Sequence, residues 1–396
     1  MASTKPLKRK DGSVYGYKIT VFMGKMDGKN ISRYSTWTIP DELLTSPAKI
    51  KKQLNIEAAL FEQACKSGTA PAQKKKFKEY AEYVMELKKR DKKISTVERY
   101  EELLERIYPE IGFLALAEIN PEHLNRLYTK LGQPGMNKKD PRHGLSAKTI
   151  LEHHRVIHLV FAQAYKEGLV PFNVADRATP PKTAHKEAQF FEEGEVIKIS
   201  EALRFQPLKW RCITMLMIYT GARRGEIMGL KWDSIDYEAG EIKIQRNLLY
   251  SSNVGIYVDT PKNGDSRTIV VDSEVLELLK RQQLEQTRQR LKMGTGWKDT
   301  GFCFTQENGE PMHPDSITGW LDEFAKKNDL PHIHPHKFRH THISILLSHG
   351  VSVIDAAKRA GHKQPTTTAN IYSHVLAKAD QKAADVFSSA LKTHIG

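Results

Sequence analysis

The spacing of hydrophobic positions changes character along this chain of 396 residues. Near the start, "SVYGYKITVFMG" alternates, with Tyr15, Tyr17, Ile19 and Val21 on one face. "MDGKN" then offers an Asp-Gly turn, and "ISRYSTWTI" reads as a returning strand, which predicts a small β-hairpin or three-stranded sheet. From about residue 45 to 72 the pattern is helical, loosening at "KSGTAPAQKKK" into a linker.

Four helical stretches follow. "FKEYAEYVMELKKR" places Phe77, Tyr80, Tyr83 or Val84, and Leu87 at helical intervals, and "STVERYEELLERI" opens with a capping box from Ser95 to Glu98. "NPEHLNRLYTKL" has Asn120 as cap and Pro121 at the first helical position; "SAKTILEHHRVIHLVFAQAYKEG" runs from a Ser146 cap to a Gly168 stop. "DRATPPKTAHKEAQ" reads as an interdomain linker. Beyond it, "GEIKIQRNLL", "GIYVDT" and "RTIVV" are short alternating strands flanked by helices, read as one sheet. The expectation is a multidomain chain: a small N-terminal β-sheet domain with a helix (1–66), an all-α domain (73–176), a linker (177–189), and a mainly α domain with a small antiparallel sheet (190–396).

Charge sharpens the picture. Lys and Arg number 61 against 47 Asp and Glu, a net +14, which favours a polyanionic partner. Eight of those cations (Lys5, Lys8, Arg9, Lys10, Lys18, Lys25, Lys29, Arg33) fall in the first forty residues against Asp11 and Asp27, so the N-terminal sheet reads as a basic, aromatic-bearing nucleic-acid surface or as a solvated charged face. No run of about 18 apolar residues occurs and the N-terminus lacks a signal-peptide core, so a cytoplasmic location is expected, without a membrane partner. Cys65, Cys212 and Cys303 are too scattered for a disulfide framework or a zinc module and are expected to be reduced, semi-buried packing residues.

Two stretches carry candidate chemistry. In "YTGARRGEIMGL", Gly221 breaks an apolar helix and Glu226 opens another, which places Arg223 or Arg224 at a helix junction; Glu226 would buttress an arginine or cap the helix. "HIHPHKFRHTHISILLSHG" gathers six histidines around Arg339. Pro335 suits a first helical turn, so the amides around 336 to 338 would face an anion. His336 and Arg339 would share a face, with Phe338, Ile345 and Leu346 on the buried side. Zinc on His332, His334 and His336 is the rival reading, weakened by the lack of a Cys or carboxylate nearby; ordinary surface histidines are a third.

In order along the chain stand TGAR at 220–223, Lys262 in "TPKNGDSRTIVV", His336 and Arg339 in "HKFRH", His362 in "AGH" and Tyr372 in "NIYSHV". This ordered set resembles the tyrosine recombinases, the phage integrase family. The departures are small: Phe338 stands where Leu is common, and Ala360 precedes Gly-His where Leu is usual. The resemblance covers the last domain and, less specifically, the helical one, which looks like a SAM-like core-site binding domain. The basic N-terminal sheet resembles an arm-site domain.

The resemblance implies a site-specific integrase that cuts and rejoins DNA through a 3′-phosphotyrosyl intermediate, integrating and excising a mobile element. Cleaving a phosphodiester without a metal requires a nucleophile, a proton donor for the leaving oxygen and cations facing the transition state. By resemblance Tyr372 is the nucleophile, Arg223 and Arg339 clamp the phosphate, Lys262 is the general acid, His336 assists proton transfer from Tyr372, and His362 hydrogen-bonds the phosphate. Some neighbour must ease the deprotonation of a tyrosine whose ordinary pKa is about 10; the pattern leaves open which. His332, His334, His340, His342 and His349 are left as packing, supporting or DNA-facing residues.

No metal or other cofactor is implied. The implied partners are double-stranded DNA at core and arm sites, a homotetramer on DNA exchanging C-terminal helices, accessory directionality factors and host DNA-bending proteins, in a bacterial nucleoid. Lys8, Arg9, Lys10, Lys18, Arg33, Arg155 and Arg224 are candidate DNA contacts. The tail "LAKADQKAADVFSSALKTHIG" forms an apolar helical stripe (Ala379, Ala383, Val386, Phe387, Leu391) that packs on its own domain or docks on a neighbour. A type IB topoisomerase, a non-catalytic DNA-binding protein on the same scaffold and a metallonuclease are the competing readings.

Overall fold

The period-two stretch near the N-terminus forms an antiparallel sheet in the order β1 (Ser3–Lys8), β2 (Val14–Met26), β3 (Lys29–Thr38). The alternation is what lets it pack: Ile19 and Val21 are buried beneath α1 (Pro47–Lys66), which contributes Leu54, Phe61 and Cys65. Gly16 lets the strands close up, because a Cβ there would lie 2.6 Å from the Trp37 carbonyl oxygen. The computed structural model describes residues 2–26, 29–43, 46–66, 75–183, 189–261, 266–372 and 388, and the chain divides into two units, Met1–Ala184 and His185–Gly396. The Asp-Gly turn and the C-terminal stripe lie outside the described residues, Ser388 apart.

The helical region contains α2 (Phe77–Lys88), α3 (Ile94–Ile107), a π-helical turn at Tyr108–Gly112, α4 (Pro121–Leu131) and α5 (Ala147–Lys166). Their inward faces supply Phe77, Tyr80, Val84, Leu104, Leu127 and Phe161, each burial stabilising by about 1.5–3 kcal/mol. Val84 rather than Tyr83 takes the inward position on α2, since Tyr83 is exposed. Asn120 accepts from the His123 amide and Ser146 from the Thr149 amide, as caps do. Ser95 is not a cap: the Lys93 carbonyl already receives the Thr96 and Val97 amides, so the helix starts earlier and Ser95 lies inside it.

The second unit begins with α6 (Glu193–Leu203), α7 (Leu208–Thr220) and the short α8 (Arg224–Met228). Five strands follow, β4 (Ile235–Asp236), β5 (Glu241–Ile244), β6 (Asn247–Ser251), β7 (Gly255–Asp259) and β8 (Arg267–Val270). Helices α9 (Ser273–Met293), α10 (Ser316–Lys327), α11 (Pro335–Ser348), α12 (Val353–Ala360) and α13 (Pro365–Ile371) come next.

The single sheet expected here is two. Among the described residues β4, β5 and β8 pair in that order and β6 pairs with β7, so "GEIKIQRNLL" is two strands. At the break Arg246 grips Asp233 through Nη1 and Nη2, each at 2.8 Å. α8 packs against β6 by way of glycine: a Cβ on Gly225 would stand 2.2 Å from Asn247 Oδ1. The cysteines are free and fully buried rather than semi-buried. Among the described residues no helix is long and apolar enough to cross a membrane.

Candidate active site

From Cys212 to Thr220, α7 is buried almost throughout, and it ends at Gly221 with φ 59°, a left-handed conformation that favours glycine. Packing enforces the same choice, since a Cβ on Gly221 would lie 2.7 Å from the His342 ring. The turn delivers Arg223 as the N-cap of α8. Its backbone N–H donates to Glu226 Oε2 at 2.9 Å, Nη1 donates to Glu226 Oε1 at 2.8 Å, and Nη2 reaches the Gly361 carbonyl at 3.3 Å. Glu226 therefore caps the helix and buttresses the arginine together.

Glu226 is 1% exposed and also accepts from Arg267 Nη2 at 2.6 Å. Burial alone would raise its carboxyl pKa; the hydrogen bond and charge of Arg267, with those of Arg223, prevail and hold it below the ordinary range. Arg267 in turn donates through Nε to the Arg359 carbonyl at 2.9 Å. Arg224, expected on the surface or on DNA, ion-pairs with Asp315 and donates to Thr318 Oγ1 at 3.1 Å.

On α11, His334 is the N-cap and its Nδ1 accepts from the Lys337 amide at 3.3 Å. That amide, one of those expected to face an anion, is already partnered. Arg339, Ile343 and Leu347 form an i, i+4, i+8 line of buried residues with Phe338 beside it, leaving Ile345 and Leu346 half-buried at the edge. His336 is exposed although Arg339 is buried, so the shared face predicted for them is divided.

Arg339 Nη1 donates to the Gly221 carbonyl at 2.9 Å, while Nη2 is buried without a partner among the described residues. Burial, reinforced by Arg223, lowers its pKa to about 9, so it stays cationic at neutral pH. A cation buried on one carbonyl gains strongly from an approaching anion.

Tyr372, directly after α13, is completely buried, and its hydroxyl lies 2.6 Å from His340 Nδ1. Burial raises the tyrosine pKa against the opposing pull of Arg339. Burial, then His336 and Arg339, push His340 down to about 4, so its imidazole is neutral at pH 7. His362 follows Gly361, bonds Thr368 Oγ1 through Nδ1 at 2.7 Å, and is lowered to about 4 by burial and by Arg339 and Arg223. Arg223, Arg339, His362 and Tyr372 thus converge from four places in the chain, with the exposed His336 ring 4.8 Å from that of His340. His340, read from the sequence as a packing, supporting or DNA-facing residue, meets the tyrosine hydroxyl; its position one turn after His336 and beside Arg339 was the available signal.

A cleft of about 750 Å³ opens beside this group, lined by Arg223, Arg267, Lys358, Arg359, His362 and Lys363 among others. Pro261 and Ser266 also line it, flanking the stretch that carries Lys262, which itself lies outside the described residues. β7 and β8, on either side of that stretch, pair with different strands. Among the described residues no three His, Cys, Asp or Glu side chains gather as metal ligands would.

The other candidate DNA contacts lie in the first unit. Lys8, Arg9 and Lys10 are exposed, Lys18 stands 4.2 Å over the Tyr34 ring, and Arg33 is half-buried opposite Val21. Arg155 is exposed on α5, in a groove with Lys88, His154 and Lys166.

Residues 189–379 match the phage integrase family and residues 76–179 the phage integrase SAM-like domain. The chain is 27% identical to the tyrosine recombinase XerC-like protein of Caldanaerobacter subterraneus, over 70% of this chain and 73% of that one. It is 26% identical to the ICEBs1 integrase of Bacillus subtilis, over 63% and 67%. In fold it is similar to the Tn1549 transposon integrase solved with a circular intermediate DNA, at TM-score 0.63 and 22% identity, over 77% of this chain and 99% of that one. The chain belongs to the phage integrase family: it is a tyrosine-type site-specific DNA recombinase of the mobile-element kind.

Proposed function

We propose that this recombinase integrates and excises its element by a phosphotyrosyl exchange on Tyr372. The observation that carries the reading is the convergence of two arginines, Arg223 held by a buried carboxylate and Arg339 buried with an unpartnered Nη2, on the neighbourhood of one buried tyrosine. Those guanidiniums clamp the non-bridging oxygens of the scissile phosphate, where planar bidentate donation matches charge that grows in the transition state. Tyr372 Oη attacks phosphorus, the 5′-oxygen leaves with a proton from Lys262, and His362 donates to the phosphate. The phosphotyrosyl bond conserves the energy of the broken linkage, so a second strand rejoins without a metal or ATP.

The helical region binds the core site, with Arg155 on the backbone. The basic N-terminal sheet holds a separate arm site through Lys8, Arg9, Lys10, Lys18 and Arg33. The Tn1549 integrase, solved with a circular intermediate DNA, is the precedent for duplex DNA as partner. Four protomers exchange C-terminal helices on that DNA, with directionality and DNA-bending proteins as accessories in the nucleoid. The test is incubation in chelator with the end-joined circular junction of the element. SDS-resistant protein–DNA adducts are expected, and a chelator that abolishes them contradicts the metal-free chemistry.

A further inference from the structure

We propose that His340, a residue outside the six of the family pattern, is the catalytic residue that takes the hydroxyl proton of Tyr372 as the tyrosine attacks phosphorus, the part that the resemblance gives to the exposed His336; this rests on the recombinase reading above. The geometry is direct. His340 Nδ1 lies 2.6 Å from Tyr372 Oη, with ring centroids 5.7 Å apart, so the acceptor touches the reacting atom before any rearrangement. With its proton on Nε2, the imidazole presents the Nδ1 lone pair to the hydroxyl.

Its surroundings suit an acceptor that works only with DNA in place. The groups facing it are His336, Arg339 and His334 from α11, Tyr372 after α13, and His362 before α13. Burial and the adjacent cation keep it neutral. Neutrality leaves it free to accept, but the imidazolium formed by proton transfer is opposed by Arg339. A phosphate bound to Arg339 cancels that opposition, so basicity at Nδ1 rises when the scissile phosphate arrives. In the step itself the Oη–H bond breaks and the proton moves to Nδ1, the Oη–P bond forms, and the P–O5′ bond breaks with O5′ protonated by the general acid. Rejoining runs the same transfers backwards.

The experiment uses a duplex bearing the core sequence recovered by adduct capture, with a 5′-bridging phosphorothiolate at the scissile position, since a thiolate leaves without a proton. Lys262→Ala should be restored to within about tenfold of wild type on this substrate, whereas His340→Ala should remain slower by about 10² to 10⁴ at pH 7. Its deficit should shrink as pH rises toward tyrosine ionisation. His340→Ala cleaving within about threefold of wild type with an unchanged pH slope, or faster than wild type, would overturn the proposal.

If the variant fails to fold, the wild-type profile decides. A rate flat between about pH 6 and 8.5 supports a neutral imidazole acceptor, and a rise of about tenfold per unit excludes one. A wild type that forms no adduct sinks the recombinase reading and this proposal with it. Adducts in wild type that vanish in Tyr372→Phe leave only the identity of the acceptor at stake.

Discussion

Arg267 Nη2 donates to Glu226 Oε2 at 2.6 Å, and the other carboxylate oxygen of Glu226 holds Arg223 Nη1 at 2.8 Å. One buried anion thus sets the position of a cation in the proposed phosphate clamp. Glu226→Ala leaves two arginines without a counter-ion and should cost about 3–5 kcal/mol in urea unfolding. Because the carboxyl pKa is depressed in the fold, its contribution is present above the ordinary value of 4.5 and is lost as pH falls through the folded value. The acid limb of the stability profile should therefore be shallower in Glu226→Gln than in wild type.

His342 runs the opposite way in chemistry and the same way in pH. Its Nδ1 lies 3.0 Å from the Ile218 carbonyl and its Nε2 accepts from Arg359 Nε at 3.1 Å, an arrangement that requires the neutral ring. Burial and Arg359 lower it to about 4. The unfolded chain binds this proton more readily, so stability should fall from about pH 6.5 to 4. Urea midpoints measured across that window should change less in His342→Gln than in wild type.

Two glycines are expected to resist substitution for different reasons. Gly221→Ala imposes a left-handed φ of 59° and a clash 2.7 Å from the His342 ring, and Gly225→Ala drives a Cβ to 2.2 Å from Asn247 Oδ1. Each should destabilise by more than about 1 kcal/mol. Thermal unfolding checks both, and a neutral Gly225→Ala would mean that α8 and β6 do not meet so closely.

Arg339→Lys removes the forked donor set while keeping the charge. Single-turnover cleavage should drop by about 10² to 10³, equivalent to about 3–4 kcal/mol of transition-state stabilisation. Affinity for the duplex should change far less, because many other phosphate contacts remain. Filter binding and adduct formation on the same substrate separate the two effects.

The features legible from the chain alone have local causes. Asn120 before Pro121, Ser146 and Gly221 carry their roles in their own backbone preferences, and the alternation at Ile19 and Val21 needs only the pleat of a strand. Where a distant partner decides, the local pattern misleads. The strand after Ile244 divides because its second half pairs with β7 and not with β8, while Ser95 loses the cap to a near neighbour, Lys93, whose carbonyl receives the first amides. The six-residue order could be found because it is a pattern along the chain, whereas the His340–Tyr372 contact joins positions 32 residues apart that only the fold brings together.

The central claim is tested most directly by locating the covalent bond. Wild-type protein is trapped on a nicked core duplex in chelator, digested with nuclease and trypsin, and its peptides are weighed. A nucleotide mass on Tyr372, within the tryptic peptide spanning residues 364–378, and its absence in Tyr372→Phe, is the predicted result. Adduct mass on any other residue, or an adduct that survives Tyr372→Phe, would contradict the account.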